Sequence, residues 1–310
     1  DESVYVPVPE MKHPVDNKWS KEKEELGKML YFDPRLSGSN WISCATCHNP
    51  GLGWGDGLPR TIGDGQKELG RHAPTVINSG YFKTQMWDGR KKTLEDQAKG
   101  PIEAAGEMNQ NFDELIGELK AIPGYVKRFA SVFGANSLTI DNIAKAIATF
   151  ERSVVSKNAP YDKYWAGDKS AMSASAVSGM KLFFGKAKCA ICHNGAVFTD
   201  SGFHNIGVKA AGPLKVDLGR YNQSKADFDK GAFKTPGLRS ISQSAPYMHN
   251  GTEATLEGVI EFYDRGGDVK KNLSPFITPL GLTTQEKKDL VEFLIALDGE
   301  PIEVVFPDLP

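Results

Sequence analysis

Apolar positions recur at three- and four-residue intervals in several stretches of this chain, and long glycine- and proline-rich segments part them. The first stretch opens at Ser20, a good N-cap, and runs through Leu26, Met29 and Leu30 to Phe32, where Asp33-Pro34 stops it. From about Asn111 the pattern is helical again: Phe112, Leu115, Ile116 and Leu119 share a face, followed by Tyr125, Phe129 and Phe133. A longer helix is predicted from about Thr139, burying Ile143, Ile147, Phe150 and Val154 or Val155. In the second half a helix covers 173–184, and Leu256, Val259, Ile260 and Tyr263 form one stripe ahead of Gly266-Gly267. The last helix starts at Thr283 or Thr284, with Glu286 placed for a capping box, and buries Leu290, Phe293 and Leu294. The pattern predicts a mainly α protein.

Between these helices lie segments without periodicity. Residues 1–19 hold Pro7, Pro9 and Pro14 and read as an extended arm. Residues 49–90 are crowded with glycine from Gly51 to Gly70, and a loop region of that length is usually functional. Residues 197–251 are loop-rich too and carry His204 and His249. Gly27-Lys28-Met29-Leu30-Tyr31-Phe32 returns as Gly179-Met180-Lys181-Leu182-Phe183-Phe184, a weak internal repeat that predicts two joined units of similar build. With a junction over 159–169, the division is 1–165 and 166–310, and the proline-containing tail packs back on the first domain.

Length agrees with two domains, since the chain has 310 residues. A formal net charge of −2 gives no sign of a nucleic-acid partner, and no apolar run is long enough to cross a bilayer. Asp1-Glu2-Ser3-Val4 shows neither a basic region nor an apolar core, so any export signal is expected to be gone already.

The cysteines change the picture. Cys44-Ala45-Thr46-Cys47-His48 and Cys189-Ala190-Ile191-Cys192-His193 use all four cysteines of the chain. C-x-x-C-H is the attachment run of c-type haem: two thiols bond the porphyrin edge covalently and the next residue binds iron. One such run could be half of a zinc site or a redox dithiol; two that leave no cysteine over favour two covalently bound haems c. Both runs follow the repeated helix, so the fold class is mainly α, two cytochrome c-like domains with one haem each. Covalent haem attachment is done outside the cytoplasm, which predicts a periplasmic protein. The other axial side decides whether an iron carries electrons or activates a small molecule. His13, His72, His204, His249 and several Met and Tyr residues compete for it, and spacing does not choose among them.

Further runs resemble the bacterial di-haem cytochrome c peroxidase and MauG superfamily from about residue 20 to residue 300. They are Gly27 to Leu36, Ala73-Pro74-Thr75-Val76-Ile77-Asn78, Trp87-Asp88-Gly89-Arg90 and Gln97 to Ile102, then Phe233 to Arg239 and Pro246 to Gly251. The resemblance implies a peroxide site at the N-terminal haem and an electron-transfer site at the C-terminal one. It places the acid/base carboxylate on Glu107, the distal amide on Gln97 and an inter-haem indole on Trp87. A carboxylate over the iron can take the proton from the near peroxide oxygen and deliver it to the leaving one.

Three departures from many peroxidases of that family matter. The distal His that blocks the first haem is replaced by Asp64, a poorer ligand, with His72 eight residues on as a substitute. His72 also stands where an Asn binds an inter-domain calcium ion, and calcium prefers oxygen; Ser244 and Pro246 match the other calcium positions. The axial Met of the second haem falls on Tyr263, as in MauG-like members, with Met248 as competitor. A phenolate lowers the potential of a haem, whereas Met raises it.

These residues predict a periplasmic peroxidase that reduces hydrogen peroxide at the His48 haem. Its electrons come through the His193 haem from a small donor, a cytochrome c or a cupredoxin. The alternative is a MauG-like enzyme whose peroxide-generated high-valent di-haem state oxidises aromatic side chains of a partner protein. A plain di-haem electron carrier is the third reading. The family also makes a homodimer an expectation.

Overall fold

The computed structural model describes residues 5–310; residues 1–4, which begin the predicted arm and bear on the export signal, lie outside the described residues. Two helix crossings organise the chain. Lys21–Phe32 packs on Ile140–Glu151 in the first half, and Ala174–Phe184 packs on Thr284–Ile295 in the second.

Both crossings rest on the glycine of the repeated motif. A Cβ on Gly27 would overlap the Ala146 carbonyl, and one on Gly179 would overlap that of Asp289. Only glycine lets the two backbones come this close. Each crossing is then closed by an aromatic pair: Tyr31 meets Phe150 with centroids 5.1 Å apart, and Phe183 meets Phe293 at the same 5.1 Å. Trp54 and Phe198, each a few residues past its haem-type His and each at positive φ, complete the two clusters. The weak sequence repeat is therefore a repeat in packing.

The predicted helix starts carry their caps. The Ser20 hydroxyl accepts from Lys23 N at 3.2 Å, Thr139 accepts from Asn142 N at 3.3 Å, and Thr283 and Glu286 form a reciprocal capping box. Three features differ from the sequence expectation. The run from Asn111 is two helices, Phe112–Lys120 and Pro123–Phe133, because Pro123 has no N–H to continue the first and suits the start of a second. The 159–169 junction contains the helix Pro160–Trp165, whose Tyr161 belongs to the second core, anchored by Asp162 on Arg239 at 2.8 and 2.9 Å. Leu94–Glu103 is a helix that periodicity did not reveal: its buried positions are only Leu94, Ala98 and Ile102, and Gly100-Pro101 argue against a helix.

Strand structure is slight: Phe203–His204 pairs antiparallel with Phe233–Lys234. The tail returns to the first half, where Phe306 meets Phe32 at 5.1 Å and Arg35 Nη1 donates to the Pro310 carbonyl at 3.1 Å. No helix among the described residues is long and apolar enough to cross a membrane.

A second repeat was not legible in the sequence. Asn78 and Ser240, Met86 and Met248, Gly89 and Gly251 all have positive φ and keep a constant offset. Thr93 and Thr255, at the same offset, cap the helices Leu94–Glu103 and Leu256–Asp264. The halves then meet through a reciprocal pair of backbone hydrogen bonds: His72 N to His249 O and Lys234 N to Trp87 O, both 2.8 Å. Within the repeat His72 matches Lys234 and Trp87 matches His249, so the interface has pseudo-two-fold character.

Candidate functional site

Each C-x-x-C-H run is a single tight turn. His48 N donates to Cys44 O and His193 N to Cys189 O, both at 2.9 Å, which presents two thiols and an imidazole together. All four thiols are free. Burial pushes Cys47 and Cys189 up to about 12 and Cys192 to about 11, so they stay protonated until chemistry consumes them. Burial lowers the pKa of both histidines, which leaves neutral imidazoles with a lone pair to give. His193 Nδ1 lies 3.0 Å from the Phe198 carbonyl, so Nδ1 carries the proton and Nε2 is the free ligand atom. His48 Nδ1 is buried without a partner, with the backbones of Trp54 and Pro74 beside the ring.

In the second half the turn opens on a cavity of about 250 Å³ lined by Cys189, Cys192, His193, Met248, Val259 and Tyr263. One water needs only ~10–15 Å³ of such space, and the walls are largely apolar, so the cavity suits a flat apolar group. The helix Leu256–Asp264 divides its side chains sharply. Phe262 is wholly buried in protein, while Leu256, Val259, Ile260 and Tyr263 line the cavity. The stripe that would otherwise read as plain core faces this space. Burial and the neighbouring Cys189 and Cys192 raise the Tyr263 phenol above its ordinary value. Two thiols on one turn, a neutral imidazole beside them and a phenol on the same apolar cavity fit a haem. In the first half the thiol pair and the neutral His48 imidazole fit a second.

The first-half candidates lie on the helix Leu94–Glu103 and the loop behind it. Gln97 and Pro101, one turn apart, share a helix face. The loop folds back through Glu107 N to Ala104 O at 2.8 Å and Met108 N to Pro101 O at 3.0 Å. This holds Glu107 half-buried and within electrostatic reach of Cys47 and Arg90. Burial raises its pKa and Arg90 opposes the rise. Asp64 belongs to the rim: its N–H donates to Glu107 O at 2.9 Å and its carboxylate accepts from Asn109 Nδ2 at 3.0 Å. The offset that matches Thr93 with Thr255 also matches Gln97 with Val259 and Pro101 with Tyr263. Where the second site offers a phenol, the first offers a proline with no ligand atom. Sequence reasoning passed over Pro101; the signal was the constant offset between the Trp87-Asp88-Gly89 and His249-Asn250-Gly251 turns.

The remaining candidates meet at the interface between halves. Trp87 Nε1 donates to His72 O at 2.8 Å, and its ring stands edge-on to His249 at 6.5 Å. His249 stacks on Phe233 at 3.6 Å, and burial pulls its pKa down to about 4. Arg71, held in its own half by Asp88 at 2.8 Å, clamps the other half through Asp217 at 2.7 and 2.9 Å. His72 is buried with Nδ1 2.8 Å from Leu58 O, a contact that ties the ring to its own loop. His72, Ser244 and Pro246 line the same cavity, yet His72 brings nitrogen and the Ser244 hydroxyl bonds Ile241 O at 3.5 Å. They offer a hard cation little beyond backbone oxygen. His204, the other loop histidine, pairs with Asp200 at 2.8 Å.

The chain is similar to known proteins over most of its length. Residues 21–170 match the family described as di-haem cytochrome c peroxidase. The chain is 44% identical over 299 residues to a methylamine utilization protein MauG of Methylorubrum extorquens, covering 96% of this chain and 84% of that one. It is 40% identical to a cytochrome c peroxidase of Denitromonas iodatirespirans, covering 98% and 89%. Among solved structures it is similar to a MauG-like protein associated with microbial copper homeostasis, with a TM-score of 0.87, 33% identity and 94% of each chain covered.

Proposed function

The chain belongs to the di-haem cytochrome c peroxidase family, and on that premise we propose that it reduces hydrogen peroxide to water beside His48, with electrons entering beside His193. It is an oxidoreductase of that family, and its two C-x-x-C-H runs imply two haems c. When bound, haem supplies the iron that polarises peroxide and the electrons that cleave its O–O bond. The balance is one peroxide, two electrons and two protons to two waters.

The chain's own residues handle the protons and the geometry. Glu107 takes the proton from the near oxygen of peroxide and gives it to the far one, which leaves as water. Its raised pKa suits a group that must both accept and donate near neutral pH. Gln97 orients peroxide by hydrogen bonding, and Pro101 leaves room for it. Trp87 carries charge between the halves, and Tyr263 closes the second site. What supports this reading is the matched pair Pro101 and Tyr263: at equivalent places the first half has a side chain with no ligand atom and the second a phenol.

A second reading is favoured by the tyrosine and by the 44% identity to a MauG. In it, oxidising equivalents leave through the second half to aromatic side chains of a partner protein. In the first reading the donor is a small redox protein of the periplasm, where haem attachment takes place. Mixing the fully oxidised protein with stoichiometric peroxide, without reductant, tests the open site by stopped-flow absorption. A fast change at both haems is expected, and Glu107→Gln slows it ~10²-fold or more with both haems retained. A reaction that waits for one added electron contradicts the open site; an unchanged Glu107→Gln rate removes Glu107 from the proton path.

A further inference from the structure

Lys234 is buried at 8% exposure and, among the described residues, its ammonium makes no hydrogen bond or ion pair. It lies 4.1 Å from the centre of the Phe82 ring, and burial unopposed by any carboxylate pulls its pKa down to about 7. A buried ammonium without a counter-charge costs several kcal/mol, so such a group is normally paired. The side chain lines the same cavity as Cys189, Cys192 and His193. On that cavity too is Ser79, whose buried hydroxyl has no partner. Ser79 belongs to the first half and sits in the turn that ends at Phe82, whose N–H donates to Ser79 O at 3.2 Å. A cation held only by the Phe82 ring and a hydroxyl without a partner, from opposite halves, thus line one apolar cavity. They call for an anionic oxygen group.

We propose that Lys234 and Ser79 are positioning residues that hold a propionate carboxylate of the haem attached at Cys189 and Cys192, clamping that haem between the two halves. The proposal rests on the reading of Cys189-Ala190-Ile191-Cys192-His193 as a haem attachment. It makes the two sites unequal in charge, since the residue matched to Lys234 is His72, a neutral ring bonded to Leu58 O. A fixed ammonium beside a haem favours the added electron.

Potentiometric titration of the two-haem protein, followed by absorption, tests this without using activity. Lys234→Met lowers the reduction equilibrium of the second haem about tenfold, ~59 mV for one electron, and leaves the first within twofold. Ser79→Ala lowers it by less. Two attached haems with an unchanged second midpoint in both variants overturns the proposal, and Ser79→Ala alone decides if Lys234→Met fails to hold two haems. A wild-type chain with fewer than two haems would instead defeat the attachment reading, and haem counting separates the two failures.

Discussion

The two halves share a frame and differ in what stands at matched places. Both have a glycine crossing, an aromatic pair at 5.1 Å and a C-x-x-C-H turn. Against that sameness, Pro101 stands for Tyr263, Trp87 for His249, His72 for Lys234, and at the helix crossings Glu151 for Leu294. Packing repeats between the halves, while the side chains at these four pairs of equivalent positions do not. Chemistry has diverged on a scaffold whose load is carried elsewhere.

The sharpest way to break the contrast is to make the first site resemble the second. Pro101→Tyr places a phenol at the position equivalent to Tyr263, and it suits a helix interior better than proline does. We expect the peroxide reaction to fall ~10²-fold or more, with both haems retained; single-mixing kinetics would show whether it does. Next comes the shared frame itself. Gly27→Val and Gly179→Val each force a branched side chain into a backbone carbonyl, at a cost of ~3 kcal/mol or more. Chemical denaturation would show equal losses if the crossings are equivalent; tolerance of either valine would deny the repeat its structural role.

Tyr263→Met sharpens the comparison from the other side. Exchanging a phenol for a thioether raises the second haem's reduction equilibrium by at least about tenfold, ~59 mV. An unchanged redox titration would leave Tyr263 as a wall of the cavity only. The smallest effect concerns Glu151, whose burial raises its pKa to about 8. The folded state then holds a proton that the unfolded chain releases above ~4.3. Stability from this group is present at low pH and lost as pH rises toward about 8. Thermal midpoints across that window should fall less steeply for Glu151→Gln than for the wild type.

Much of this was legible in the sequence where a local rule governs. Caps at Ser20, Thr139 and Thr283 mark helices because a side chain satisfies an exposed N–H within three residues. The haem turns were legible because covalent attachment demands a fixed spacing. Leu94–Glu103 was hidden because its helix is held by tertiary contact and contains Gly100-Pro101, against local preference. Tyr263 looked like core since a cavity-lining stripe and a core stripe have the same period. Lys234 lay in a run that carried the resemblance, yet its burial was not legible: it comes from Phe82 and the opposite half, which no periodicity encodes.

The claim that one site is open and the other closed is tested most directly by electron paramagnetic resonance of the fully oxidised, two-haem protein. One high-spin and one low-spin ferric signal that integrate to equal spin counts are expected, with Tyr263→Phe altering only the low-spin one. Two low-spin signals in the resting protein would contradict it.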